Sequence, residues 1–144
     1  CLRTNGSNPD VIDDLTKDML IDKISLDYKA PFDLYHKVAD CKVNINDVQQ
    51  TFELIQDRPV SIEYRTVLAP DFVDKKNIIK MGKYLNKKRG KWILTELNGL
   101  GVLDADKLSG KIYTEEEMKE LVNLAYEYFD DVELVVLWQK EVDY

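Results

Sequence analysis

Two stretches of this chain carry the same constraint. In DKISLDY, residues 22–28, Ile24, Leu26 and Tyr28 fall on one side while Lys23, Ser25 and Asp27 fall on the other. In PVSIEYRTVL, residues 59–68, Val60, Ile62, Tyr64 and Thr66 share one face and Ser61, Glu63, Arg65 and Val67 share the opposite one. Side chains alternate along a strand, so each stretch predicts a β-strand buried on one face and wet on the other. Helical signals surround both. Asn8 as cap and Pro9 at the first turn, with Val11, Ile12, Leu15 and Met19 at helical spacing, predict a helix from Pro9 to Met19. Asn46 is expected to cap a second helix carrying Val48, Phe52 and Ile55, with Pro59 at its exit. Asp74 opens a third, running to about Lys88, KWILTEL follows as a strand, Thr114 and Glu117 form a capping box, and VELVVLW closes as a β-rich run.

Strands alternating with helices predict an α/β fold, with a parallel sheet, right-handed crossovers and helices outside. The central strands of an ordinary doubly wound sheet are apolar on both faces. Here the polar faces require water, which a partial (βα) barrel or curved parallel sheet supplies on its inner side. Ser25, Asp27, Glu63 and Arg65 are expected there, open at the carboxyl ends of the strands where parallel α/β proteins bind ligands. Asp27 and Lys29, just before the turn APFD, mark that mouth.

The chain has 144 residues and no linker or low-complexity break, which predicts a single domain over 1–144. Its net charge of −7 disfavours nonspecific nucleic-acid binding. No apolar run approaches a membrane span, and CLRTNGSNPD lacks the zones of a signal peptide, so a cytoplasmic location and no membrane partner are expected. Cys1 and Cys41 are too few for a disulfide framework, and His36 is the sole histidine, so no metal site is expected from this chain. The first residue is Cys rather than Met, which suggests that the chain starts inside a longer protein.

CLRTNGSNPDVIDDL, LIDKISLDYKAPFDLY, SIEYRTVLAP and KIYTEEEMKELVNLAYEYFDDVEL, in that order, resemble the later two-thirds of radical S-adenosylmethionine activating enzymes, which install glycyl radicals in partner enzymes. The wording D-Y-K-A-P-F and Y-T-E-E-E-M is most similar to activating proteins of anaerobic ribonucleoside-triphosphate reductase, with pyruvate formate-lyase activating enzyme a close relative. The resemblance implies a partial (βα)6 barrel, S-adenosylmethionine as ligand, a 4Fe-4S cluster held by C-x-x-x-C-x-x-C, a glycyl radical enzyme as partner and an electron donor such as flavodoxin or ferredoxin. That cysteine motif and the family's Gly-rich segment are absent here. The chain therefore reads as a piece beginning at the third strand, inactive by itself and with no catalytic residue of its own. A sheet edge exposed by such a start invites pairing with a second copy.

Carried over by position, Thr4 and Asn5 with Gly6 match the turn beside the bound methionine moiety. Asp27 and Lys29 match a pair flanking the amino-acid and ribose portions, and Arg65 matches a strand arginine facing the ligand. Asn98 falls where relatives carry a histidine near the nucleoside. Arg3 departs from the pattern, standing where some relatives place an aspartate that binds a monovalent cation; its guanidinium is expected to supply that positive charge instead.

Plainer readings compete. Asp27 and Lys29 taken alone read as an exposed strand-end pair, and Glu63 with Arg65 as an ion pair on the inner face. The basic run DKKNIIKMGKYLNKKRGK reads as the solvated side of an amphipathic helix sooner than as a dock for an acidic partner. His36, Cys41, Trp92 and Trp138 read as surface or core residues. Two other functions stand beside the radical-enzyme reading: a non-catalytic α/β protein-binding module, and a Schiff-base barrel enzyme using Lys29.

Overall fold

The structure is a computed structural model, and residues 1–38, 43–97 and 110–136 are described. Five strands form one sheet in the order of the chain: β1 (Leu2–Thr4), β2 (Lys23–Asp27), β3 (Ser61–Leu68), β4 (Lys91–Glu96) and β5 (Val132–Val135). Every neighbouring pair is parallel. The helices between them are α1 (Pro9–Lys17), the short α2 (Tyr35–Val38), α3 (Ile45–Leu54), α4 (Lys75–Leu85) and α5 (Glu115–Tyr126). Sequential parallel order with crossovers of one hand places the helices on one face of the sheet, as in a segment of a βα barrel.

The core shows which face that is. Ile24, Leu26 and Tyr28 from β2 and its end, Ile62, Tyr64 and Leu68 from β3, Trp92 and Leu94 from β4 and Val132 from β5 form one cluster. They pack with Ile12, Val48, Phe52, Ile78, Met81, Leu85, Met118 and Leu121 of the helices. Ile24, Leu26 and Tyr28, and Ile62 and Tyr64, have the parity assigned to the apolar side. Stripping these side chains of water drives the two layers together, at roughly 25 cal/mol per Å² of apolar surface.

Local chemistry sets the helix ends. Asn8 accepts from the Val11 amide, Asp74 from Asn77, and Thr114 and Glu117 close the expected capping box. Three boundaries differ from the sequence reading. Asn44 caps α3, accepting from the amide of Asn46, so the cap lies two residues earlier than expected. The first helix stops at Lys17 because Met19 adopts a left-handed φ of 54°, which leaves Met19 exposed instead of in the buried stripe. Lys87, at φ 70°, lies beyond the end of α4 at Leu85, short of the expected Lys88. Asn98, Cys41 and Trp138 lie outside the described residues. Among the described residues no helix is long and apolar enough to cross a membrane.

Candidate functional site

The sheet face turned away from the helices carries the polar residues. Register runs Arg3, Ser25, Glu63, Lys91 in one row, and Asp27, Arg65, Ile93, Glu133 in the next. Residues in register on adjacent parallel strands project to the same side, so the Asp27 carboxylate and the Arg65 guanidinium share this face. They are direct neighbours at the carboxyl end of β2.

The charges here are partly paired. Lys23 bonds Glu63 at 2.6 Å, Lys91 reaches Glu133 at 3.2 Å, and the Arg3 Nε lies 3.7 Å from Asp27 Oδ1. Glu63 thus pairs with Lys23, not with Arg65 as the plainer reading had it. Residues two apart on one strand are splayed by the pleat, whereas the Lys23 ammonium reaches diagonally from the adjacent strand. Arg65 and Lys29 have no ion-pair partner among the described residues. Ser25, 4% exposed, has an Oγ with no hydrogen-bond partner among them either.

The end of β2 is fixed by residues that local pattern did not reveal. The Lys29 amide donates to the Tyr35 hydroxyl at 3.1 Å, and that hydroxyl donates to the Asp27 carbonyl at 3.4 Å. One buried phenol therefore spans the turn holding both candidates, and burial pushes its pKa upward. Beyond it, the Thr66 hydroxyl donates to the Tyr28 carbonyl at 2.6 Å and accepts the Trp92 indole N–H at 2.9 Å.

The T-N-G turn follows another logic. Thr4 is in register with Leu26, so it belongs to the helix-facing parity and is not brought beside Asp27. Its Oγ1 accepts from the Gly6 amide at 3.1 Å, and Asn5 Oδ1 accepts from Ser7 at 2.9 Å. Thr51 of α3 donates to the Gly6 carbonyl at 2.7 Å. Gly6 is required, since its φ is 79° and a Cβ would meet Leu26 Cδ1 at 2.9 Å. Thr4 and Gly6 therefore shape the turn at the end of β1, and exposed Asn5 is presented on it.

The basic run is amphipathic as expected: Ile78, Met81 and Leu85 of α4 are buried, while Lys75, Lys80 and Lys88 pair with Glu120, Asp33 and Glu53. His36 is exposed and Trp92 lies in the core. A cavity of about 260 Å³ lined by Leu68, Glu96, Ile112, Tyr113 and Met118 shares no residue with the polar face. Among the described residues no group of three or more His, Cys, Asp or Glu side chains is placed to hold a metal ion.

A one-sided parallel βα sheet of this kind has a counterpart among solved structures. A radical SAM methyltransferase from Sphaerobacter thermophilus matches it with a TM-score of 0.69 over 93% of this chain and 39% of its own, at 12% identity. The chain is also similar to a Methanocaldococcus jannaschii protein named as a candidate glycyl-radical enzyme activating enzyme, 28% identical over 133 residues. That match takes in 90% of this chain and 55% of the relative, so the chain spans about half the length of the curated relative it matches. No family model matches. Both similarities agree with the resemblance to radical SAM activating enzymes read from the motifs.

Proposed function

We propose that this chain is the S-adenosylmethionine-binding and partner-facing part of a radical SAM activating enzyme that generates a glycyl radical in a partner such as anaerobic ribonucleotide reductase or pyruvate formate-lyase. The observation that carries the reading is the adjacency of Asp27 and Arg65 on the polar face. A sulfonium amino acid presents an ammonium, a carboxylate and a ribose. Asp27 would take the ammonium, Arg65 and Lys29 the anionic and hydroxyl groups, and Asn5 and Ser25 supply further polar contacts on or beside the face. Thr4 contributes by shaping the turn, and Asn98 is retained from the family correspondence alone.

The cluster that such enzymes use does not fit the residues here. A 4Fe-4S cubane is held by several Cys thiolates, and this chain has two cysteines, forty positions apart. We assign the cluster ligands and the contacts with flavodoxin or ferredoxin to the parent protein, and route no step through them. Bound S-adenosylmethionine would supply the sulfonium whose reductive cleavage gives the radical; this chain's residues bind and orient it.

The test is calorimetric titration of S-adenosylmethionine into the full polypeptide, with Asp27→Asn and Arg65→Ala. Each substitution leaves one ligand charge unpaired, so affinity is expected to fall about tenfold or more. Affinity unchanged by both, or no binding by the unsubstituted protein, would remove the reading.

A further inference from the structure

The cavity at the carboxyl ends of β3 and β4 lies on the helix side of the sheet, away from the polar face. It measures about 260 Å³ and is walled by Leu68, Leu97, Ile112, Tyr113 and Met118, with Glu96 and Glu115 as its charged members. Leu68 and Glu96 are register partners. Glu96 follows Trp92 and Leu94 at two-residue spacing, and both of those are fully buried in the core. Alternation along the strand therefore turns Glu96 toward the helices, where a charge is costly to place.

That carboxylate is not compensated by the protein. Glu96 Oε2 is sealed from solvent without a hydrogen-bond partner, and Glu96 has no ion pair, among the described residues. Glu115 differs, since its Oε1 lies 3.2 Å from the Lys119 ammonium. The Tyr113 hydroxyl donates to the Val73 carbonyl at 2.7 Å, which fixes its ring in the wall. The cavity thus offers one unmet negative charge, an aromatic ring and apolar sides, with no cation in its lining among the described residues.

Those features select a ligand. Both oxygens of a carboxylate share its charge, so a cation that reaches either one relieves the oxygen that water does not touch. An aromatic ring attracts the same cation, and apolar walls favour an apolar body behind it. At about 30 Å³ per water, 260 Å³ holds roughly nine waters, which sets the ligand's size. We infer that this cavity is a binding site for a small organic amine, its ammonium at Glu96 and its apolar body against Leu68, Tyr113 and Met118. The site stands apart from the polar face and does not depend on the assignment of that face to S-adenosylmethionine, since the two share no residue.

The probe is benzylammonium chloride, titrated at constant ionic strength into the full polypeptide carrying carbon-13 methyl groups on its three methionines. Met118 lines the cavity, Met19 is exposed and Met81 is in the core, so the three signals separate the site from the rest. The Met118 methyl alone should shift, with a dissociation constant of about 1 mM, the range open to so small a ligand. Benzyl alcohol, neutral and equal in size, should bind about tenfold more weakly. Glu96→Gln, checked by circular dichroism, should lower benzylammonium affinity to that of the alcohol. Glu115→Gln should change it less, and Asp27→Asn, on the polar face, should leave it as it is. An unmoved Met118 methyl would overturn the inference, as would equal affinity of the unsubstituted protein for amine and alcohol, or equal amine affinity with and without Glu96→Gln. Loss of amine binding in Asp27→Asn alone would move the ligand to the polar face and overturn it too.

Discussion

Replacing Thr66 by Val tests how the candidate site is held. The two side chains have nearly the same volume, so no cavity opens, but the hydroxyl that links three strands is gone. Two groups are then orphaned: the Trp92 indole N–H, which donated at 2.9 Å, and the Tyr28 carbonyl, which accepted at 2.6 Å. Thr66 and Trp92 are 0% exposed and Tyr28 is 1% exposed, so water does not replace the lost partners. Each of the two buried orphans costs about 1–3 kcal/mol, and the added methyl returns about 0.8 kcal/mol, for a net loss of roughly 1–5 kcal/mol. Thr66→Ser is the counterpart, keeping both hydrogen bonds and giving up one methyl for about 1 kcal/mol. Urea unfolding followed by far-ultraviolet circular dichroism measures both, with the midpoint moving and the slope constant if only native contacts change. Trp92→Phe combined with Thr66→Val should cost less than the sum of the two, because they remove the same bond. If Thr66→Val were as stable as Thr66→Ser, the polar link would be contributing nothing and packing alone would be holding the end of β2.

Arg89 offers a second measurement, at the opposite end of the strands. Its guanidinium donates to the carbonyls of Ile55, Gln56, Arg58 and Val60, while its own carbonyl accepts from the Tyr64 hydroxyl at 2.8 Å. Arg89→Ala should cost about 2–3 kcal/mol in urea unfolding after discounting for exposure, and Arg89→Lys most of that, since one ammonium cannot span four acceptors; a loss below about 0.5 kcal/mol, the ordinary value for a surface change, would refute the clamp. The buried tyrosines predict an alkaline limit. Burial pushes Tyr28, Tyr35 and Tyr84 up and Tyr64 up to about 12. Folded pKa values above unfolded ones give stability that is complete below about pH 10 and declines as pH rises above it. Tyrosinate absorbance from these four should appear together with loss of circular dichroism, and its appearance in a still-folded protein near pH 10 would contradict their burial.

Much of the fold was legible because one face of the sheet is sealed by helices and the other is not. That difference writes a two-residue period into β2 and β3, and the side of every residue from Lys23 to Tyr28 and from Val60 to Val67 can be read from it. The three residues of β1 are too few for any period, and only the match of T-N-G to a known turn suggested a strand there. Thr4 came from that correspondence too, and no period in three residues could show that its parity is that of Leu26. Arg89 was hidden for a different reason. It sits in a run of Lys and Arg that reads as solvated charge, and its acceptors are backbone carbonyls from a distant turn, which leave no mark on sequence. Tyr35, a core aromatic by composition, was likewise invisible as the brace of the Asp27–Lys29 turn.

Hydrogen-bond satisfaction across the sheet gives an independent reason to place the site on the polar face. On the helix side the buried threonine hydroxyls are engaged: Thr16 with the Ile12 carbonyl at 2.8 Å, Thr51 with Gly6 at 2.7 Å, and Thr66 with Tyr28 at 2.6 Å. On the other side Ser25 Oγ is equally hidden and has no partner among the described residues, and Arg65 two positions along the neighbouring register has no counterion among them. A buried polar group left unpaired costs about 1–3 kcal/mol, a sum that folding has no reason to tolerate in a sheet whose other hydroxyls are met. Such unmet demand is expected where a ligand, and not the protein, is to supply the partner. Asp27 and Arg65 lie in the register row next to that of Ser25, so on this face an unmet hydroxyl stands beside charges suited to an amino-acid zwitterion, while the other unmet buried atoms among the described residues, Arg58 Nε and Glu96 Oε2, lie away from it.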